Sequence, residues 1–351
     1  MNNMKIAFIV NNIDTEKAGY TSTHLGMAAS NLGHEVWYIS VSDLTYDTDE
    51  NIHAQAMRVR NIKHRSCKNY LDDLRGKDGI REYINVAELD VLMLRNDPAE
   101  DAANRPWARL AGINFGRFAV RSGVLVVNDP DGLSQAMNKL YLQQFPNEVR
   151  PRAIVSRDRD QIKSFARDMG GTIVLKPLYG SGGRNVFLLR PEDIPNAHQM
   201  IESVSRDGYI IAQEYLPKAV HGDTRLFLLN GEPMCHKGRY AAIQRVRADG
   251  DMRSNMTAGA HSEAAVVAEP ILALVETIRP QLRHDGMFFV GLDIVGDKLM
   301  EINVFSPGGL ESAEALCGVK FSHMIIHDLE RKLEHRNNTE RHISNKELAV
   351  L

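Results

Sequence analysis

The chain has 351 residues, 43% of them hydrophobic and 25% charged, with a formal net charge of -3. That length leads us to expect two or three domains and a sizeable core, and the balance is that of a globular enzyme rather than a general nucleic-acid binder, although a local basic pocket for an anion stays open. Cys67, Cys235 and Cys317 form no CxxC pair, which excludes a zinc motif and a disulfide framework and fits a reducing, cytoplasmic setting.

No apolar run approaches the ~18 residues a membrane span needs, and the N-terminal run reads as a buried strand rather than a signal peptide. Lys5–Val10 (KIAFIV) is predicted as that strand, followed by a helix capped by Ser22, running to Leu32 and closed by Gly33. Glu35–Ser40 (EVWYIS) is the next strand. This β-α-β start predicts an α/β parallel sheet. Residues 42–81 are polar and weakly periodic, and read as loops with short helices. Strands follow at 90–95 and 124–127, with a helix over 105–121 between them. Asp129-Pro130 marks a domain edge.

Beyond it we expect a helix over 132–145, a strand at 153–156, a helix over 159–169 and strands at 172–176 and 185–189. A helix near 194–204, strands at 209–215 and 224–229, and a strand from Met234 onward come next. The stretch 245–261 reads as a mobile loop. A helix over 269–282, strands at 288–294 and 299–304, and a helix over 321–333 precede a polar, frayed tail from Asn337. The pattern gives four units: 1–128, 129–212, 213–336 and the tail 337–351.

Lys176–Phe187 (KPLYGSGGRNVF) sets a lysine before a glycine-rich loop. Glycines allow successive backbone N–H groups to turn toward an anion. A Walker loop needs the lysine after the glycines and then a helix, and a dinucleotide fingerprint needs GxGxxG opening a helix; neither is spelled here. On the residues alone, a hairpin turn and a phosphate cradle both fit.

Gly291–Gly309 (GLDIVGDKLMEINVFSPGG) places Asp293, Glu301 and Asn303 on paired, largely apolar strands. Burying lone carboxylates is costly, so they demand a cation or hydrogen-bond donors. A three-residue turn at Gly296-Asp297-Lys298 would set Asp293 opposite Glu301, with Asn303 on the same face. Two carboxylates and an amide oxygen suit Mg²⁺ shared with phosphates. A two-residue turn would break the registry, and a half-exposed hairpin with its acids in water is the alternative. Asp223 and Arg225 share one face of a strand. Arg245, Arg247, Arg253 and Asn255 follow; guanidinium forks suit carboxylates and phosphates, and Arg247 reads as a solvated charge. Gln213–Pro217 (QEYLP) resembles a hinge whose backbone could meet an adenine edge.

In chain order, RNDP (Arg95–Pro98), VLKPLYGSGG (Val174–Gly183), QEYLP and VGLDIVGDKLMEINVFSP (Val290–Pro307) together resemble the ATP-grasp superfamily, and within it the bacterial glutathione synthetase family, from Lys5 to about Leu333. The resemblance implies an ATP-grasp fold, α+β in the C-terminal half, behind an N-terminal Rossmann-like domain. It implies an ATP- and Mg²⁺-dependent carboxylate–amine ligase acting through an acyl phosphate, with two metal ions and Mn²⁺ as a substitute. Carried over by position, Lys139 and Lys176 would contact ATP phosphates under the loop Gly180, Ser181, Gly182 and Gly183. Gln213, Glu214, Tyr215 and Leu216 would line the adenine, and Asp223 would face the ribose. Arg225, Arg245 and Arg253 would bind the acid and the moving phosphoryl group. Arg95, Asn255 and Ser306 would face substrate, and Asp293, Glu301 and Asn303 would hold the metal.

The segment 245–261 would act as a lid. Peptide and amino-acid substrates and a homo-oligomer, as a tetramer, complete the expectation; no nucleic acid or membrane partner is expected. Two departures stand out. The stretch 231–245 is longer than the family pattern, and Ser306-Pro307 is followed by Gly308-Gly309 rather than threonine. A ligase for another acid or amine is the alternative reading. A non-catalytic nucleotide sensor is disfavoured by the presence of Lys176, Asp293, Glu301 and Asn303.

Overall fold

The computed structural model describes residues 3–101, 104–180, 183–206, 208–246 and 261–351. Three sheets carry the architecture. The first, with seven strands, is ordered Leu44–Tyr46, Ile52–Arg58, Glu35–Ser40, Lys5–Val10, Val91–Leu94, Leu125–Val127, with Ile80–Asn85 paired to Ile52–Arg58. Its last four strands in that order are mutually parallel. Helices cover both faces of that part, so Lys5–Val10 and Val91–Leu94 read as unbroken apolar runs and are buried almost throughout.

Residues 42–81 depart from the sequence reading. They form three antiparallel strands and the helix Cys67–Arg75. The strand Ile52–Arg58 alternates buried and exposed positions. Such half-covered strands carry polar residues, and this hid them from a search for apolar runs. The helix after the first strand is Thr21–Asn31, and Tyr20 rather than Ser22 occupies its N-cap, without a side-chain cap. Ser22 lies inside the helix and donates its hydroxyl to Glu16. The expected helix over 132–145 is broken in two. Pro130–Gln135 is helical, with Pro130 in the first turn and Asp129 capping it, and Lys139–Gln144 is a 3-10 segment.

The second sheet has four antiparallel strands in the order Phe187–Leu189, Ile173–Pro177, Ile210–Glu214, Ala153–Ser156. It buries its own small core, including Ile162, Ile173, Leu175, Ile201 and Ile210, under the helices Arg159–Asp168 and Ala197–Ser205. The third sheet is ordered His261–Ala264, Ala242–Val246, Asp223–Leu229, Phe289–Val295, Lys298–Asn303, with Glu232–Pro233 beside Asp223–Leu229. Its buried Leu226, Val290 and Leu292 share one apolar cluster with Ile9, Leu92 and Val126 of the first sheet. The first and third sheets are thus joined by common packing, while the second keeps a separate core.

The longer stretch after Gly231 contains a hairpin, Cys235–His236 with Arg239–Tyr240. Lys237 and Gly238 form its turn with positive φ of 50° and 76°, the conformation of a two-residue hairpin turn. A helix at Leu310–Cys317 was not foreseen. The last expected helix runs on from Phe321 to Asn338. The tail is not frayed. Ser344 and Glu347 form a capping box on the helix Asn345–Ala349, which buries Leu348 and Ala349.

Candidate active site

The site grows from one face of the third sheet. Register places Arg225 directly opposite Asp293, and Asp293 opposite Glu301. Asp223 lies opposite Arg245, and Asn303 opposite Gly291. Because side chains alternate along a strand, these residues share one face. The turn that achieves this differs from the one expected. Val295 pairs with Lys298, so the turn has two residues, Gly296 and Asp297. A bulge then follows, since Ile294 pairs with Leu299 but Asp293 pairs with Glu301. Met300 is the extra residue, and it restores the registry that a two-residue turn alone would break.

Arg225 grips Asp293 with both arms of its fork, Nε to Oδ1 and Nη2 to Oδ2, each at 2.7 Å. Arg245 Nη2 reaches Asp293 Oδ2 at 2.8 Å, and its Nε donates to Asp223 Oδ2 at 3.0 Å. Burial alone would raise the Asp293 pKa, but Arg225 and Arg245 pull it down to about 2. Burial also works against the charge on Arg245; Asp293 and Asp223 outweigh it and raise its pKa. Lys139 Nζ lies 3.0 Å from Glu301 Oε1 and also donates to the Gly180 carbonyl. Burial pushes Glu301 up, and Lys139 more than compensates, so its pKa is lowered. Burial takes Lys176 down to about 8, against the pull of Glu301.

A cleft of about 860 Å³, part of it open to solvent, lies at the Glu301 and Asn303 end of this face, and Asp223, Arg225, Arg245 and Asp293 do not line it. Among the sequence-predicted residues it brings together Lys139, Lys176, Gly180, Glu301, Asn303 and Ser306. Asp97, Asn138 and Tyr179 also line it; sequence reasoning named none of them as a site residue, although Asp97 sits within the RNDP stretch. Gly180 carries φ of 121°, a conformation that favours glycine. Ser181, Gly182, Arg253 and Asn255 lie outside the described residues, as does most of the expected lid; Arg245 itself belongs to the strand Ala242–Val246.

The other expected contacts are engaged within the protein. Gln213 is buried, with Nε2 3.8 Å from Met300 Sδ and Oε1 without a partner among the described residues. The Glu214 carboxylate holds Arg152. Tyr215 and Leu216 link that strand to the Pro217–His221 turn, and the Leu216 carbonyl accepts the Ala219 N–H at 2.9 Å. Arg95 is buried, donates to the Pro307 carbonyl at 3.2 Å and lies over the Phe289 ring. Arg225 Nη1 donates to the Gly308 carbonyl at 3.2 Å. Arginines from two sheets therefore hold the Ser306–Gly309 loop.

The donor set Asp293, Glu301 and Asn303 is all oxygen, which suits a hard divalent cation. A carboxylate offers about four acceptor positions, and arginines take three on Asp293. Glu301 and Asn303 are therefore the readier ligands.

A family model of the prokaryotic glutathione synthetase ATP-grasp domain matches residues 138–318, and one of the N-terminal domain of prokaryotic glutathione synthetase matches residues 4–134. The chain belongs to the prokaryotic glutathione synthetase family. Glutathione synthetase of Gloeobacter violaceus is 35% identical over 330 residues, covering 92% of this chain and 95% of that protein. The Vibrio parahaemolyticus enzyme is 31% identical over 310 residues, covering 88% and 92%. Among solved structures, D-cycloserine synthetase DcsG overlays with a TM-score of 0.63 at 15% identity, covering 93% of this chain and 99% of that one. D-alanyl-alanine synthetase A of Vibrio cholerae gives a TM-score of 0.53 at 11% identity, covering 95% and 100%. These two show the ATP-grasp fold. The glutathione synthetase family makes the protein an ATP-dependent ligase of small amino-acid and peptide substrates that uses a divalent metal. No helix among the described residues is long and apolar enough to cross a membrane.

Proposed function

We propose that the protein is a cytoplasmic glutathione synthetase, which joins γ-glutamylcysteine to glycine and converts ATP to ADP and phosphate. The observation that carries this reading is the row Arg225–Asp293–Glu301, whose Glu301 end stands in one cleft with Lys139 and Lys176. The carboxylate oxygen of the acid attacks the γ-phosphorus, and the bond to ADP breaks. The glycine amine then attacks the acyl carbon, phosphate leaves, and the amine gives up a proton. Phosphoryl transfer of this kind needs positioning and charge neutralisation more than a protein nucleophile.

Lys139 and Lys176 supply fixed positive charge beside the phosphates, which the segment Gly180–Gly183 would cover. Gln213 to Leu216 bracket the adenine and Asp223 the ribose. Arg225 and Arg245 are held in place by Asp293 and Asp223, and together with Arg253 they orient the acid and the moving phosphoryl group. Arg95, Asn255 and Ser306 complete the substrate side. Glu301, Asn303 and Asp293 would hold two Mg²⁺ ions, which neutralise phosphate charge when bound. The segment 245–261 would shield the acyl phosphate from water. The functional unit would be a tetramer, and the segments 1–128, 129–212 and 213–336 its three domains.

Incubation with ATP, Mg²⁺, γ-glutamylcysteine and glycine should release ADP and yield a product with the mass of glutathione. A second reading, another acid or amine, is favoured by one feature: a side-chain carbon added at Gly308 would meet no atom within 4 Å, so the loop leaves room. ADP release with a different product mass would select that reading. Absence of ADP release with every acid tested would defeat both.

A further inference from the structure

A second cleft shares no lining residue with the first. Its volume is about 980 Å³, part of it open to solvent, and His236, Lys237, Arg239, Lys320, His323 and His327 line it. Among the described residues, neither a carboxylate nor a Phe, Tyr or Trp ring does so.

One wall is the hairpin Cys235–His236 with Arg239–Tyr240, in the longer stretch after Gly231. His236 and Arg239 stand directly opposite one another, a pairing that costs stability when both are charged. The other wall is the start of the helix Phe321–Asn338. His323 and His327 lie one turn apart on one side of it, with ring centroids at 6.3 Å. Lys320 begins the helix without a side-chain cap, so the first turn adds partial positive charge, although Glu314 takes the Ser322 N–H. The walls are tied together. Arg239 donates to the Cys317 carbonyl, and Cys317 Sγ donates to the Tyr240 carbonyl at 3.3 Å.

The positive charge is poorly answered from within. Among the described residues, His236, Lys237, Arg239 and His323 make no ion pair. Lys320 reaches Glu314 at 3.8 Å, but His24 and the Ser322 N–H already hold that carboxylate. His327 pairs with Glu330 at 2.7 Å. Burial lowers the His323 pKa; Glu314 opposes this, while His327, Lys320 and His24 add to it. A cleft walled by one sign of charge concentrates the opposite ion.

We infer that this cleft is a binding site for a small, multiply charged phosphate anion, separate from the nucleotide cleft. Cations on two walls call for a ligand with charge at both ends, as a diphosphate has. Ammonium and guanidinium groups and the N–H groups of a helix start suit phosphate oxygens. Without an aromatic ring the cleft has no platform for stacking a nucleobase. Confinement to one cleft, in a chain of net charge -3, argues against a nucleic acid. The hairpin runs on through Tyr240 into the strand Ala242–Val246, which carries Arg245. The helix Leu310–Cys317 leads from the Ser306–Gly309 loop to this cleft. A bound anion therefore braces two elements that reach the candidate active site.

The test is calorimetric titration of pyrophosphate into the metal-free full chain. Binding should include a component that Lys176→Gln, in the nucleotide cleft, leaves intact. Lys237→Gln/Lys320→Gln, and separately His236→Gln/His323→Gln, should weaken that component at least ~10-fold, the scale of losing a charge-assisted hydrogen bond. Melting curves report whether each variant is folded. Citrate, whose charge sits on carboxylates, should bind more weakly than pyrophosphate. No pyrophosphate binding, its complete loss in Lys176→Gln, or its full retention in both cleft variants overturns the site. Citrate bound as tightly as pyrophosphate overturns the assignment to phosphate.

Discussion

At the residue scale, the site is a set of charges that hold one another in readiness. Asp293 is fixed by two arginines, while Glu301 has a single lysine and stands at the cleft. We therefore predict that Glu301→Gln lowers the rate of ADP release by about 100-fold or more, the scale seen when an electrostatic contributor to phosphoryl transfer is lost, with an unchanged melting curve. Equal rates would remove Glu301 from the metal set.

For the pH dependence of stability, the prediction centres on a different residue. His24 is buried, with Nε2 2.8 Å from Glu314 and Nδ1 3.4 Å from Cys67. Burial lowers the His24 pKa, but Cys67 and Glu314 outweigh it and raise it from 6.5 to about 9. Lys320 also approaches Glu314, and His323 senses His24. A raised folded pKa gives stability that is complete below pH 6.5 and lost as pH climbs through 9. Glu314, with its pKa lowered, acts in the opposite sense: its contribution is present above 4.5 and is lost on acidification. The urea midpoint of the wild type should therefore fall between pH 6.5 and 9 more steeply than that of His24→Gln; parallel slopes would show that His24 carries no such linkage.

At the element scale, the hairpin and the tail show how much a few residues decide. Asp293, Glu301 and Asn303 were legible as one face, yet the reading had the wrong device. Nothing in the pattern DIVGDKLMEIN marks Met300 as a bulge, since a bulge reflects pairing with a partner strand rather than local preference. The tail misled for a related reason. Its composition is polar, but Asn345 bonds the Val126 N–H and carbonyl and the Asp129 carboxylate. Asn345→Ala strips the partners from a buried strand edge and should cost about 1–3 kcal/mol, read as a lower urea midpoint. A change within ±0.5 kcal/mol, as for an ordinary surface substitution, would return the tail to a passive role.

At the scale of the whole molecule, the second sheet has a core of its own while the first and third share theirs. The cleft takes Lys176 and Gly180 from the separate unit, and Glu301, Asn303 and Asp97 from the joined ones. Chelation with EDTA should abolish ADP release, and added Mg²⁺ or Mn²⁺ should restore it; activity that survives chelation would contradict metal use. Light scattering should report about four chains per particle for the proposed tetramer, and a monomer mass would overturn it.

The sequence by itself determined the buried parallel strands, the lysine-first glycine loop and the placing of Asp293, Glu301 and Asn303 on paired strands. Each is written in local periodicity or in the chemistry of neighbouring residues. Only the tertiary structure decided that Arg225 and Arg245 converge on Asp293, that a bulge sets the hairpin register, and that the tail folds back onto Val126. Those relations join residues far apart in the chain. Strand pairing, ion pairs and hydrogen bonds bring them together, and none of these is visible until the strands are laid side by side.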